Sequence, residues 1–163
     1  MDQDLAAVAS EVEQHVSREG WNQHPRLFAL VATSEVLASD PHLVLDADRR
    51  YTSVEQDISE KSRDVDDMLA EITWPDEVLG AALVIERIVV PESAEDEIDS
   101  ASSPNAAAAA HLLRDDVRMV AAVLRDGSNV DALRFRSHDN DDSVALAAGL
   151  VPGLNDALLA TFR

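Results

Sequence analysis

The stretch Asp116-Val-Arg-Met-Val-Ala-Ala-Val-Leu-Arg125, Asp126-Gly127-Ser128, Asn129-Val-Asp-Ala-Leu-Arg-Phe-Arg-Ser-His138 decides the fold. Two β-leaning runs flank an Asp-Gly pair, a strong short-range signal for a β-hairpin. Side chains alternate between faces along a strand, so the hairpin register fixes which residues share a face. A two-residue turn sets Val123 opposite Val130 and Met119 opposite Arg134, and each face then mixes charge with apolar residues. A three-residue loop of Asp126, Gly127 and Ser128 pairs Arg125 with Asn129 and Leu124 with Val130. Glycine supplies the left-handed residue that such loops use. Val117, Met119, Ala121 and Val123 then share a face with Leu133 and Phe135. Arg118, Val120, Ala122 and Leu124 share the other with Val130, Ala132, Arg134 and Arg136. The three-residue loop separates charge from core more cleanly and is preferred. It gathers Arg118, Arg134 and Arg136 at one end of one face.

Outside the hairpin, two kinds of pattern recur. Leu5, Val8, Val12 and Val16 fall at helical spacing within residues 4–19, with Glu11, Glu13 and Arg18 outside the stripe and Gly20 as a stop. Val65, Met68, Leu69 and Ile72 repeat the pattern, with Asp64 as the cap. Arg26–Ala32 is apolar on both faces and reads as a central, covered strand, Gly80–Val90 is a second, long strand in which Glu86 and Arg87 interrupt opposite faces, and Tyr51–Ile58 alternates weakly and suits an edge strand. Glu86 is a candidate partner for an arginine on a neighbouring strand. Ser34 can cap a short helix over Glu35–Ala38, and His42–Leu45 reads as a short strand or a further helical turn. Residues 91–104 read as a flexible acidic loop, and Pro104 can open a helix running to Leu113. Pro152 opens a closing helix whose Leu154, Leu158 and Phe162 dock on the sheet. Helices around a closing antiparallel hairpin define an α+β fold: a mostly antiparallel sheet with helices packed on it, in a single domain over residues 1–163.

The composition narrows the function. Hydrophobic residues make up 46% of the 163, enough for a core, but aromatics are only 4%, so that core is aliphatic and rich in alanine. The absence of cysteine removes disulfides, thiolate zinc sites and a thiol nucleophile. A net charge of −19 opposes binding to nucleic acid and to anionic membranes. No apolar run reaches the length of a membrane span, and the acidic start Met1-Asp-Gln-Asp-Leu5 lacks the form of a secretory signal. A soluble, cytoplasmic protein is expected. Lys61 is the sole lysine among 13 basic residues, which points to a GC-rich genome.

Two groups of side chains could carry chemistry. Arg118, Arg134 and Arg136, joined by Arg26, could hold a carboxylate, a phosphate or an acidic peptide in bidentate fashion. The same arginines could instead pair internally with Glu86 and Asp116. The loop carrying His138, Asp139, Asp141 and Asp142 could offer oxygen ligands to a hard cation. It lacks the glycine and the distal glutamate of a calcium loop, and a solvated acidic loop is the competing reading. Neither a phosphate-binding glycine loop nor a nucleophile elbow is present, and Ser137-His138-Asp139 is contiguous, the wrong arrangement for a triad. No catalytic residue and no cofactor is assigned.

Several stretches together resemble a family of uncharacterised actinobacterial proteins. They include Gly20-Trp21-Asn22-Gln23, Pro25-Arg26-Leu27-Phe28-Ala29-Leu30-Val31, Glu55-Gln56-Asp57, Trp74-Pro75, Val84-Ile85-Glu86-Arg87, Val117-Arg118-Met119-Val120, Leu124-Arg125-Asp126-Gly127, Leu133-Arg134-Phe135-Arg136-Ser137-His138-Asp139 and Leu150-Val151-Pro152-Gly153-Leu154. The resemblance implies a bacterial, cytoplasmic protein and no particular mechanism. The leading expectation is a non-catalytic intracellular binding or adaptor domain that uses a sheet face bearing Arg26, Arg118, Arg134 and Arg136. Its partner would be a protein or a small anionic ligand, with monomer and homodimer both open. The alternative is a metal-dependent enzyme using His138, Asp139, Asp141 and Asp142.

Overall fold

The computed structural model describes residues 1–58, 64–90 and 114–163. The acidic loop expected at 91–104 and the helix expected from 104 to 113 lie outside the described residues. In chain order the elements are α1 (Gln3–Ser17), β1 (Arg26–Ala32), α2 (Thr33–Ser39), β2 (Tyr51–Gln56), α3 (Val65–Ala70), β3 (Val78–Val89), β4 (Asp115–Leu124), β5 (Asn129–Phe135), β6 (Ala145–Ala147) and α4 (Pro152–Leu159). The described strands form one sheet in the order β2-β1-β3-β4-β5-β6, with every neighbouring pair antiparallel. With the helices packed on it, this is the α+β architecture the sequence pattern calls for.

The β4–β5 hairpin has a three-residue loop, but the loop starts one residue earlier than expected. Leu124 N donates to Ser128 O at 2.9 Å, and Gly127 N donates to Leu124 O at 3.0 Å. The loop is therefore Arg125-Asp126-Gly127, and Val123 pairs with Asn129 and Ala122 with Val130. A type I turn closed by a left-handed residue puts glycine last in the loop, and Gly127 sits there with φ +93°. The Asp126 carboxylate accepts from Ser128 N at 2.8 Å and fixes the turn. Each residue's partner moves by two positions, an even number, so the division of residues between the two faces survives.

Each sheet face has its own core. Leu5, Val8, Val12 and Val16 of α1 pack on Phe28, Leu30, Ala82, Val84, Val120, Ala122, Val130 and Ala132. Complete burial of such side chains contributes about 1.5–3 kcal/mol each, so α1 is held mainly by this stripe. On the opposite face, Met68, Leu69 and Leu158 of α3 and α4 cover Leu27, Leu83, Ile85, Ala121 and Val123. Asp2 and Asp64 cap α1 and α3 by accepting from Leu5 N at 3.0 Å and Asp67 N at 2.8 Å. The start of α4 is held by a residue distant in sequence. Buried Asp131 accepts from Leu150 N at 2.9 Å, Val151 N at 3.1 Å and Asn155 Nδ2 at 2.7 Å.

Two local expectations need correction. Ser34 caps nothing: α2 begins at Thr33, whose hydroxyl bonds that of Thr52 at 2.8 Å. His42–Leu45 forms neither strand nor helix, and Val44 is 99% exposed.

Gly80 of β3 faces β4 with no room for a side chain. A Cβ there would collide with the main-chain carbonyl of Val123 and come within 2.9 Å of a Leu124 methyl. Gly80→Ala is expected to destabilise the fold by about 1–3 kcal/mol, as overpacking does. Denaturant titration of the purified variant reads this directly. An unchanged midpoint would show that the two strands can part without cost.

Candidate functional site

Register places Glu86 of β3 opposite Arg118 of β4, and Arg118 opposite Arg134 of β5. This row lies on the face that α1 covers. Arg118 is 0% and Arg134 3% exposed. Arg134 Nε donates to both carboxylate oxygens of Glu13, at 3.1 and 3.0 Å, and Nη2 donates to Glu13 Oε1 at 2.7 Å. Its outer side bonds Asp139, at 3.2 Å, and Asp141. These carboxylates, Glu13 first, push the Arg134 pKa above its ordinary value. Glu13 is itself only 1% exposed, although its sequence position lies outside the apolar stripe of α1.

Arg118 is bound from the next turn of the same helix. Its Nη1 donates to Ser17 Oγ at 2.8 Å, and Ser17 Oγ donates to Glu13 Oε2 at 2.6 Å. Its Nη2 donates to Gly20 O and reaches Glu86 at 3.4 Å. The Trp21 ring closes the site: the Arg118 guanidinium stands 4.3 Å from its centroid and the Arg136 guanidinium 5.8 Å. Trp21 Nε1 donates to Asp139 Oδ2 at 3.0 Å. That bond, with the Arg134 guanidinium beside it, holds the Asp139 carboxyl below the usual carboxylate range. The loop is pinned from below, because Glu86 accepts from Asn22 N at 2.8 Å and Gln23 N at 3.1 Å. Asn22 takes a left-handed φ of 67°, a conformation that asparagine tolerates.

This geometry corrects the expectation of an exposed face bearing four arginines. Arg118 and Arg134 are sealed under α1 and paired internally, Arg134 through Nε, Nη1 and Nη2 and Arg118 through Nη1 and Nη2, while the buried Nε of Arg118 has no hydrogen-bond partner. Arg26 forms a bidentate pair with Glu55, at 2.8 Å on both oxygens, and bonds Glu19 as well. Of the four, only Arg136 reaches solvent substantially: its side chain is 45% exposed, and it donates to Asp116 at 3.0 Å. The 138–142 loop also differs from a cation site. Asp139 and Asp141 both point at the Arg134 guanidinium, so an arginine already supplies the positive charge. His138 Nδ1 lies 3.0 Å from Ser137 Oγ. Among the described residues no three His, Cys, Asp or Glu side chains converge as a metal-binding group.

Past the end of α1, the same end of the sheet opens into a groove of about 450 Å³, lined by Asn22, Glu86, Arg87, Ile88, Arg114, Asp116 and Arg136. The groove brings Arg136 together with Arg87 and Arg114, which the expected site did not include. Arg87 makes no ion pair among the described residues. The available signal was position: Arg87 lies near the end of a long apolar strand, and Arg114 precedes the one paired with it.

Fold and site together define a class: a single α+β domain with a six-stranded antiparallel sheet, an internally neutralised arginine row and an arginine-lined groove at its open end. The chain belongs to the PPA1309-like protein family, whose model matches residues 5–163. No curated protein and no solved structure matches it.

Removing Arg134 would strand the Glu13 carboxylate in the core. Arg134→Met is expected to cost about 3–5 kcal/mol, and Glu13→Leu/Arg134→Met to recover most of it. A double-mutant cycle in urea checks this, and additive losses would sink the coupling. Acid should act on the same cluster. Because the folded pKa of Asp139 is depressed, its contribution is present above the unfolded value of about 4 and is lost as pH falls through the lower folded value. Stability is therefore expected to fall between about pH 5 and pH 2, and less steeply in Asp139→Asn, as read by thermal melts across that range.

Proposed function

We propose that the chain is a non-catalytic binding or adaptor domain that takes a carboxylate- or phosphate-bearing group into the groove lined by Arg87, Arg114 and Arg136. The observation that carries this reading is that three of the chain's 13 basic residues, Arg87, Arg114 and Arg136, line one groove in a protein of net charge −19. A guanidinium presents a planar fork of donors that matches a carboxylate or a phosphate. The acidic groups in the groove do not cancel it. Glu86 is engaged by two backbone N–H groups and Arg118, and Asp116 orients Arg136. The overall negative field repels anions at a distance, so capture depends on a close fit at this spot. The same charge argues against nucleic acid as the partner. Among the described residues no helix is long and apolar enough to cross a membrane. With the absence of cysteine and the arginine-for-lysine bias, this supports a cytoplasmic place in an actinobacterial cell.

Calorimetric titration with inorganic phosphate and with an acidic peptide separates the two sources of the anionic group. Binding of either one by wild type, weakened at least about tenfold in Arg87→Glu/Arg136→Glu with the melting temperature retained, is the expected result; tenfold corresponds to about 1.4 kcal/mol. Equal binding by both proteins, or no binding of either probe, would overturn the proposal.

A further inference from the structure

We infer that two copies of the chain pair through β2, edge to edge and antiparallel, so that their sheets become continuous. The inference is independent of the groove, which lies at the ends of β3, β4 and β5.

The hydrogen-bond phase shows which groups β2 offers. Arg125 N donates to Leu79 O at 3.0 Å, so odd-numbered residues of β3 bond β4 and even-numbered ones bond β1. In β1, Phe28 and Leu30 therefore bond β3, while Ala29 and Val31 bond β2. Thr33 N donates to Arg50 O at 3.0 Å, in the same phase. Thr52, Val54 and Gln56 thus turn their backbone groups inward. Tyr51, Ser53 and Glu55 turn theirs outward, where the described residues provide no further strand.

Natural edges are usually blunted by proline, lysine, a bulge or shortness. The far edge, β6, has only three residues. β2 has six, contains no proline, lysine or glycine, and keeps an unbroken register with β1. Val54, on this edge, is 44% exposed.

Charge identifies the occupant. Arg49 and Arg50 precede β2 and reach Glu11 and Asp4 of their own chain, at 2.7 and 3.9 Å, with side chains still 41% and 66% exposed. Glu55, paired with Arg26, and Asp57 lie at the other end of the strand. An antiparallel pair centred on Ser53 sets Tyr51 against Glu55 of the second copy, and Arg49 against Asp57 of the second copy. The two-fold axis repeats the match, so the basic end meets the acidic end twice. Parallel pairing would place like charges together. The net charge of −19 on each copy opposes approach, but physiological salt screens it beyond about 8 Å.

The test is sedimentation velocity of the full chain from about 1 to 200 μM, beside Ser53→Pro. The proline removes an outward N–H and no bond to β1. Wild type is expected to show a concentration-dependent dimer, and Ser53→Pro to stay monomeric with an unchanged circular-dichroism spectrum. A second variant covers a failure of Ser53→Pro to fold. Directly opposed residues of an antiparallel pair have Cα atoms about 5.5 Å apart, within disulfide range. Ser53→Cys, the sole cysteine of such a chain, should therefore form a covalent dimer under mild oxidation, whereas Ser143→Cys should not. Wild type that remains monomeric throughout overturns the inference. So does a dimer that persists in folded Ser53→Pro, or a Ser53→Cys that crosslinks no better than Ser143→Cys.

Discussion

The burial of two guanidinium groups beneath a single helix is the constraint on which the rest of the structure depends. Taking such charges out of water costs several kcal/mol each, and the cost is offset only by well-placed acceptors, which here meet every Arg134 nitrogen and both terminal nitrogens of Arg118. Glu13 and Ser17, one turn apart on α1, provide acceptors for Arg134 and Arg118. The apolar stripe would let α1 slide or rotate slightly on a smooth aliphatic sheet. The ion pair does not, because a shift of one residue strands a carboxylate. The stripe supplies the favourable energy, and the polar row supplies the position.

The same row organises two loops that are far apart in sequence. Arg118 draws in the carbonyl of Gly20 and the face of Trp21, while Arg134 draws in Asp139 and Asp141. The Trp21–Asp139 bond joins them. Glu86 secures the first loop from β3 through two backbone N–H groups. Once these demands are met, the acidic side chains near the row are already engaged. That leaves the groove beyond α1 with a basic lining despite the acidity of the whole chain. With Arg118 and Arg134 buried beside their acidic partners, Arg136 is left to line the groove with Arg87 and Arg114.

The two edges of the sheet have different characters for a related reason. β6 is short and follows the acidic loop tied to Arg134, so pairing ends where the ion network begins. β2 lies away from that network, and of its side chains only Tyr51 is buried, at the margin of the α1 core. Nothing in the local sequence of β2 blocks further pairing. The groove and the open edge therefore sit on different parts of the molecule.

Local sequence determined what local physics controls. Helical spacing in Leu5, Val8, Val12 and Val16, continuous apolar runs at 26–32 and 80–90, and the Asp-Gly turn were enough for the α+β class and for the face assignment of the hairpin. The face assignment tolerated an error in loop position because strand periodicity is two, and the loop moved each partner by two. The glycine's place as the last loop residue, set by its left-handed φ, decided the true register. Only the tertiary structure decided the fate of the charges. Glu13 reads as a solvated helix residue, since nothing nearby in the sequence reveals that Arg134, 121 positions away, lies beneath it. Arg118 and Arg134 read as a surface cluster, and they are interior because α1 rather than water covers their face. Burial and pairing depend on which element packs over which face, and that is settled by long-range contacts that no local pattern encodes.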